Sequence, residues 1–344
     1  MSRRRTAVLG VAAAVGLLCT APASGAVPSA TPIRHLVVLM QENHSFDNYF
    51  GTYPGAAGIP RGTCMPAGSS HRSAPCISPF RLGHRAGLDV PHDAAIHRAQ
   101  AADGAMDGFI TAVSQGRDRP EAAVMGHYDA RDIPFYWNVA RRYVLFDHWF
   151  ASSRGGSVPN RLAWVASTPR ARSTIFDRLE RRGISWKFYV EDYDPGRRDT
   201  GAQAVRVPLL EMPRFTGRLS GHIVDLDQYY DDLREGTLPQ VAYIAPAGSS
   251  EHPPRRPEGG QTLVRSLLTA LARSTAWHHA AFLWTYDEWG GWYDHVRPPA
   301  GRGFRVPALL VSAYARRDAV DSTVLEHASI LSFIERNWGV RPLS

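Results

Sequence analysis

The apolar residues of this chain are grouped in short continuous runs separated by longer mixed segments. Two runs, 35–40 and 280–286, are too short for globular helices and too continuously apolar for strands with one face in water. They are typical of central strands in a parallel sheet that is covered on both faces. Further strands are predicted at 143–147, 184–190, 240–245 and 306–313.

The segments between these strands are long enough to hold helices. In 262–273 and in 324–338 the apolar side chains recur on one helical face, and we expect those faces to pack against the core. Strands that alternate with helices indicate parallel crossovers and a layered α/β sandwich. Because neither an internal repeat nor a linker divides the sequence, we expect a single domain.

Composition and charge narrow the range of partners. The chain has 344 residues, of which 44% are hydrophobic and 21% charged, as in an ordinary globular protein with a full core. Its formal net charge of +7 favours anionic substrates or surfaces. No basic run is interleaved with aromatic residues, as a nucleic-acid groove would require. We therefore predict no nucleic-acid partner and at most peripheral membrane contact, and leave the oligomeric state open.

The N-terminus has the three-part pattern of a secretory signal. Basic residues 3–5 precede an apolar run over 7–18, and small residues follow up to Ala26. This run is too short to span a bilayer comfortably, and no later stretch has a transmembrane pattern. We expect cleavage near Ala26, with a signal peptide over 1–26 and a secreted domain over 27–344.

The cysteines agree with an oxidising compartment. A lipoprotein anchored at Cys19 is disfavoured because Leu18 stands where a small residue is expected. Removing the leader leaves Cys64 and Cys76, on either side of a Gly/Pro/Ser-rich loop, and we predict a disulfide between them. The alternatives are two unpaired thiols or a zinc site, but no second ligand pair accompanies these cysteines.

Two pairs of oxygen-bearing residues follow the two clearest strands. Glu42 and Asn43 come after the first, and Asp287 and Glu288 after the second. Because ligands bind outside the carboxyl ends of strands in open α/β sheets, the two pairs are expected to converge. Ligation by oxygen alone favours a hard divalent cation such as Mg²⁺, Ca²⁺ or Mn²⁺. Taken singly, each pair is equally typical of a helix cap or a solvated loop.

A serine and three histidines are the remaining candidates. Ser157 follows paired glycines; with a helix beginning near Pro159, it would lie at a helix N-terminus that favours an anion. The alternative is a plain capping serine. His92, His252 and His295 lie in loops and could move protons, although a lone histidine is more often a surface or core residue.

The stretch from His35 to Gly51, with Gln41-Glu42-Asn43-His44-Ser45-Phe46-Asp47 at its centre, resembles the opening signature of a bacterial phosphoesterase family. That family contains the non-zinc phospholipases C and related secreted acid phosphatases. The resemblance runs in order over about residues 33 to 340. Its further motifs are Met106-Asp107-Gly108-Phe109, Asp132-Ile133-Pro134-Phe135-Tyr136, Ser157-Val158-Pro159-Asn160-Arg161, Ser250-Glu251-His252-Pro253, Thr285-Tyr286-Asp287-Glu288 and Arg305-Val306-Pro307.

The resemblance implies an alkaline-phosphatase-like three-layer α/β/α sandwich with a mainly parallel central sheet and one active-site divalent cation. Ser157 matches the nucleophile position, where phospholipase members often have threonine. His252 and His92 match positions for proton transfer or phosphate contact, and Asn160 and His295 match positions for substrate binding. The implied metal ligands are Glu42, Asn43, Asp287, Glu288 and Ser157.

The implied reaction is hydrolysis of a phosphoric ester through a phosphoserine intermediate, on a phospholipid or a small phosphate ester. Three hypotheses follow: a phospholipase C, an acid phosphatase with little activity on lipids, and a binding protein without turnover. The chain ends shortly after Trp338, whereas large phospholipase members carry further domains, and this keeps the phosphatase hypothesis open. Trp289, Trp292 and Tyr293 are candidates for choline or acyl contact, but ordinary core packing is the favoured interpretation.

Overall fold

The computed structural model describes residues 26–66, 76–83, 89–113, 121–166, 168, 173–197 and 201–343. Residues 1–25 of the predicted signal peptide lie outside this part of the chain. None of the described helices is both long enough and apolar enough to cross a membrane. Cys64 and Cys76 form the predicted disulfide, with their Cα atoms 5.6 Å apart.

The strands come in two kinds, longer ones in a central sheet and two-residue ones in small ribbons. They are β1 (His35–Gln41), β2 (Met65–Pro66), β3 (Cys76–Ile77), β4 (Phe80–Arg81), β5 (Gly126–His127), β6 (Val144–Phe146), β7 (Trp149–Phe150), β8 (Trp186–Val190), β9 (Ile223–Asp225), β10 (Val241–Ala245), β11 (Ala280–Tyr286), β12 (Ala308–Ser312), β13 (Ala319–Asp321) and β14 (Leu325–Glu326).

The α-helices lie between these strands, together with short 3₁₀ turns. They are α1 (Phe46–Phe50), α2 (Ala94–Ala101), α3 (Phe109–Val113), α4 (Pro134–Ala140), α5 (Ser157–Val165), α6 (Ile175–Arg182), α7 (Gly201–Arg206), α8 (Pro213–Thr216), α9 (Asp227–Glu235), α10 (Pro257–Arg273) and α11 (His327–Trp338). The 3₁₀ turns are Ala102–Gly104, Glu121–Met125, Pro195–Arg197, Pro208–Glu211, Ser220–His222 and Thr275–His279.

The central sheet has eight strands in the order β13-β6-β12-β11-β1-β10-β8-β9. All neighbouring pairs are parallel except those that involve β12, which runs antiparallel to both β11 and β6. The sheet is therefore mainly parallel, as predicted. β1 and β11 are neighbours in the middle of the sheet, with Gln41 opposite Tyr286 at their carboxyl ends.

Helices cover both faces of this sheet. Adjacent residues of a strand point to opposite faces, so Phe188 and Tyr189 of β8 identify the two layers. The Phe188 ring contacts Trp164 of α5 and Phe176 of α6. The Tyr189 ring contacts Tyr229 of α9. The three-layer α/β/α arrangement predicted from the sequence is thus confirmed.

All six predicted strands are present, with boundaries that differ by up to two residues. β9 and β13 were not predicted, because each is a three-residue edge strand with only its first residue buried. The helix predicted at 262–273 begins earlier, at Pro257, where proline fits the first turn. The helix predicted at 324–338 begins later, at His327, because Leu325–Glu326 pairs with β7 as a strand.

Candidate active site

The two oxygen-bearing pairs meet at the carboxyl edge of the sheet, as predicted from the strand pattern. Asn43 follows β1 in the left-handed region, with φ 63°, and its backbone N–H donates to Asp287 Oδ1 at 3.2 Å. Gly290 also has a left-handed φ of 63°, and a Cβ there would lie 2.6 Å from the Asn43 carbonyl oxygen. Glycine therefore allows the segment after β11 to approach the segment after β1 closely.

The oxygens in this cluster fit a hard cation. Glu42, Asn43, Asp287 and Glu288 are all buried. Asn43 Oδ1 and Glu288 Oε1 are buried without a hydrogen-bond partner among the described residues. An unsatisfied buried carboxylate is costly, and a divalent cation is the partner that carboxylate and amide oxygens share. The donor set therefore fits the predicted metal.

Electrostatics in the cluster agree with a missing positive charge. Burial and the neighbouring Asp287 carboxylate raise the pKa of Glu288 well above its usual range. Burial also raises the pKa of Glu42, although the Arg161 guanidinium acts in the opposite direction. Both shifts favour the protonated carboxyl more than in an unfolded chain, and a bound cation would act in the opposite direction.

A buried arginine that the sequence analysis did not select stands between two of the proposed ligands. The Arg161 guanidinium is fully buried; its Nε donates to Asp287 Oδ2 and its Nη2 to Glu42 Oε1, both at 3.1 Å. Arg161 therefore orients one oxygen of each carboxylate. The sequence feature that could have identified Arg161 is its position one helical turn after Ser157, which places both residues on one side of α5.

Ser157 is the first residue of α5, two residues before the predicted helix start. It lines a cavity of about 460 Å³ that Glu42, Ser250 and His252 also line. A Cβ at Gly156 would lie 3.3 Å from the carbonyl oxygen of His92, so the glycine lets this loop approach that histidine. The serine hydroxyl, a proposed metal ligand and a candidate proton donor thus share one open space.

Asn160 holds the loop that precedes Ser157. Its Oδ1 accepts from Ser153 N–H at 2.8 Å. Its Nδ2 donates to the carbonyls of Ser153, Gly155 and Gly156 at 3.3, 3.0 and 3.1 Å. In this conformation the amide positions the loop before Ser157, and a direct contact with phosphate requires one of these bonds to break. Substrate binding by Asn160 stays a prediction.

The rings of His92 and His252 pack edge to face, with centroids 5.8 Å apart. His92 Nδ1 donates to the Val90 carbonyl at 2.6 Å, which leaves Nε2 to accept from Asn43 Nδ2 at 3.1 Å. His252 Nδ1 donates to the Pro253 carbonyl at 2.7 Å, which makes Nε2 the acceptor of its neutral ring. Both tautomers are inferred from these bonds.

Glu251 anchors the loop that carries His252, and the sequence analysis did not select it. Its buried carboxylate accepts hydrogen bonds from the hydroxyls of Tyr49 at 2.5 Å, Tyr286 at 2.8 Å and Tyr136. Burial raises the pKa of Glu251 to about 7, although these bonds act in the opposite direction. The anchor ties the loop to the end of β11.

His295 belongs to a different cluster. Its Nδ1 lies 2.6 Å from Asp47 Oδ2, and the buried Arg305 guanidinium bonds to both Asp47 and Asp294. Among the described residues, no hydrogen bond or ion pair joins His295 to the four proposed carboxylate and amide ligands. Although Asp47, Asp294 and His295 are close enough to hold an ion, Arg305 already supplies a positive charge there. A substrate contact by His295 stays a prediction.

Three aromatic residues after β11 pack into the interior. Trp289, Trp292 and Tyr293 are all buried. Trp289 Nε1 donates to Gln100 Oε1 at 2.6 Å, and its ring packs against Phe304. These contacts support the core-packing interpretation over choline or acyl contact.

Comparisons with known proteins were made on the sequence and on the structure. A model of the Phosphoesterase family matches residues 33–341. The non-hemolytic phospholipase C of Pseudomonas aeruginosa is 28% identical over 90% of this chain, and the chain spans 54% of that relative. Phospholipase C A of Mycobacterium tuberculosis is 29% identical over 99% of this chain and 81% of its own length.

Two solved structures that superpose on this chain have TM-scores below 0.5. One is a protein of the alkaline phosphatase superfamily from Vibrio parahaemolyticus, with TM-score 0.44, 12% identity and coverage of 91% of this chain and 68% of that one. The lipoteichoic acid synthase LtaP from Listeria monocytogenes has TM-score 0.47, 7% identity and coverage of 90% and 72%. The family match over residues 33–341 spans most of the sequence, and the chain belongs to the Phosphoesterase family.

Proposed function

We propose that this protein is a metal-dependent hydrolase of phosphoric esters, phospholipase C-like in its chemistry, with Ser157 as nucleophile. One observation carries the proposal. Asn43 Oδ1 and Glu288 Oε1 are buried without hydrogen-bond partners in the described part of the chain, and the adjacent Glu42 lines the same cavity as Ser157 and His252. The similarity to phospholipases C of Pseudomonas aeruginosa and Mycobacterium tuberculosis supports the same chemistry.

The metal would be held by Glu42, Asn43, Asp287 and Glu288, with Ser157 completing the set. A bound divalent cation supplies Lewis-acid stabilisation of phosphoryl oxygens and lowers the pKa of a coordinated hydroxyl. Arg161 holds the Asp287 and Glu42 carboxylates in place for this role. Mg²⁺, Ca²⁺ and Mn²⁺ all suit oxygen ligands, so the identity of the ion is a matter for experiment.

The reaction proceeds in two steps. The Ser157 oxygen, having lost its proton to solvent, attacks phosphorus as an alkoxide. The ester bond to the leaving alcohol breaks, and His252 in its protonated form donates a proton to the leaving oxygen and becomes neutral. A water molecule then attacks the phosphoserine, giving its proton to His252 and releasing the serine oxygen. The His92 ring packs against His252, and its imidazole can hold a phosphoryl oxygen once its bond to Asn43 Nδ2 is exchanged.

The proposal is tested with two substrates after chelation and re-addition of each metal. Release of phosphocholine is measured from phosphatidylcholine, and release of phosphate from p-nitrophenyl phosphate. Wild-type protein should release product from at least one substrate only when a cation is present. Ser157→Ala should lose nearly all turnover, whereas Ser332→Ala on the exposed face of α11 should not. Metal-independent turnover, or full activity of Ser157→Ala, would refute the proposal.

The two substrates also separate the phospholipase from the phosphatase. Release of phosphocholine supports a phospholipase C, and release of phosphate from the monoester alone supports an acid phosphatase with the same nucleophile. Tight retention of esters without product would instead indicate a binding protein. Secretion after cleavage near Ala26 is part of the proposal and is tested by the N-terminal sequence of protein recovered from the medium.

A further inference from the structure

The cavity that contains Ser157 has an uneven distribution of charge. Three charged side chains line it: Glu42, Arg206 and Arg255. Glu42 is already compensated, because its Oε1 accepts from Arg161 Nη2 at 3.1 Å and the proposed cation would take up its remaining charge. The two arginines have no such partner, because no ion pair among the described residues includes Arg206 or Arg255.

Arg206 is the more informative of the two. It is the last residue of α7, and its Nε is buried without a hydrogen-bond partner in the described part of the chain. Burial lowers the pKa of this guanidinium, and the Glu42 carboxylate counteracts the effect only in part. Arg206 is half-buried and lines the cavity, and its Nε has lost water without gaining an acceptor, which is costly; an anion in the cavity would supply a charge partner for this guanidinium.

Arg255 extends the positive surface towards solvent. Its Nη1 donates to the Ala247 carbonyl at 2.9 Å, a neutral partner that leaves its charge uncompensated. The side chain is exposed, so salt screens its field more strongly than that of Arg206. Arg255 therefore attracts an anion at the entrance, whereas Arg206 can bond to one inside.

A cationic headgroup finds little to bind in this cavity. Recognition of choline relies on aromatic faces around the quaternary ammonium. Among the described residues that line the cavity, none is a tryptophan, tyrosine or phenylalanine. The aromatic candidates next to the metal ligands, Trp289, Trp292 and Tyr293, are buried in the core instead.

We propose, on the basis of the proposed function, that this cavity selects phosphate esters that carry a second negative charge and disfavours choline esters, with Arg206 as the specificity-determining residue. The second charge can stand on the phosphate itself, as in a monoester dianion, or on the headgroup of a diester. Both sources present the same chemistry to Arg206, namely an anionic oxygen beside the reacting phosphorus.

Three soluble esters that share the p-nitrophenolate leaving group test this selection. Two are diesters that differ in headgroup charge, p-nitrophenyl phosphorylcholine and 2-carboxyethyl p-nitrophenyl phosphate; the third is the monoester p-nitrophenyl phosphate. We expect kcat/KM for the carboxyethyl diester to exceed that for the choline diester by about tenfold at low ionic strength, since a charge-assisted hydrogen bond is lost with choline. The preference should shrink as salt is added. If only the monoester turns over, the second charge belongs to the phosphate.

Arg206→Gln should bring the ratio of the kcat/KM values for the two diesters close to one. Arg206→Lys should retain part of the preference for the carboxyethyl diester. Arg273→Gln is the matched control, because it removes the same charge from an exposed position on α10. Equal or better turnover of the choline diester by the wild-type protein would overturn the inference without relying on any variant. Equal loss of the ratio in Arg273→Gln would also overturn it. Absence of turnover with all three esters, in metal-replete protein, would instead refute the proposed function on which the inference rests.

Discussion

Arg161 Nε donates a hydrogen bond to Asp287 Oδ2 at 3.1 Å, and both side chains are fully buried. The contact joins residues 126 positions apart and places a fixed positive charge beside the proposed metal ligands. In the metal-free protein this guanidinium is the main compensation for the carboxylates, because every ion pair of Asp287 and Glu42 with a described residue is to Arg161.

Arg161→Met is therefore expected to destabilise the metal-free protein by about 3–5 kcal/mol, the usual cost of leaving a buried charge without its partner. Added Mg²⁺, Ca²⁺ or Mn²⁺ should recover part of this loss, since a cation supplies the missing charge. Urea unfolding with and without metal measures both effects. Arg273→Met serves as the control, and unchanged metal-free stability of Arg161→Met would contradict the assignment.

Glu288→Gln tests the metal site without relying on activity. The variant keeps the size of the side chain and removes its titratable group. The metal-free protein should therefore gain stability at neutral pH, where the raised pKa of Glu288 costs stability. Metal at about 100 times its Kd should stabilise the wild-type protein by about 2.7 kcal/mol, and the variant by much less at the same concentration. Thermal unfolding with and without each cation measures the difference. An exposed control, Glu235→Gln, should respond to metal as wild-type does, and an equal response of Glu288→Gln would exclude it as a ligand.

His252→Asn should lower kcat by roughly 10²–10⁴-fold for an alkyl phosphate ester, whose leaving oxygen needs a proton. The loss should be much smaller for a p-nitrophenyl ester, because p-nitrophenolate leaves without protonation. Steady-state kinetics on the two esters separate proton donation from a structural role, which would reduce both rates alike. His278→Asn, at an exposed position, provides the comparison.

The pKa of Glu251 predicts a pH dependence of stability. Its carboxyl has a pKa near 4.5 in the unfolded chain and about 7 in the folded protein. Between these values the folded state binds more protons than the unfolded state, so stability falls as pH rises through this window. The raised pKa corresponds to a loss of about 3 kcal/mol in the free energy of unfolding between the lower and the upper end of this pH window.

Glu251→Gln should lack that part of the slope, because the amide does not titrate. Urea unfolding in the presence of a chelator, at about pH 5 and about pH 7.5, gives the change in the free energy of unfolding for each protein. Because the pKa values of Glu42 and Glu288 are also raised, the wild-type protein and the variant share their contribution, and the difference between the two changes isolates that of Glu251. Identical pH slopes in the two proteins would show that Glu251 does not titrate in this window.

The parts of the site that could be predicted are those controlled by local pattern. A buried parallel strand has a recognisable apolar run, and the residue after it must lie at the carboxyl edge of the sheet. For that reason Glu42, Asn43, Asp287 and Glu288 were found to converge as expected. The Cys64–Cys76 disulfide was likewise predicted from two cysteines close together in sequence.

The contacts of His295 and Glu251 could not be predicted from local sequence pattern. Both residues follow predicted strands, and each has an ionisable neighbour in the sequence, Asp294 for His295 and His252 for Glu251. His295 bonds to Asp47, 248 positions away, whereas Glu251 receives hydroxyls from Tyr49 and Tyr286, at 202 and 35 positions. Nothing in the few residues around either side chain specifies those partners.

The sequence by itself determined the six predicted strands of the sheet, its mainly parallel character and the placement of four oxygen-bearing residues at its carboxyl edge, because burial on both faces and position after a strand are properties of short segments. Only the tertiary structure decided the antiparallel direction of β12, the place of Arg161 between two carboxylates and the burial of Arg206 Nε without a partner among the described residues. These depend on how segments distant in the chain pack together, and packing is set by the whole core rather than by any one stretch of residues.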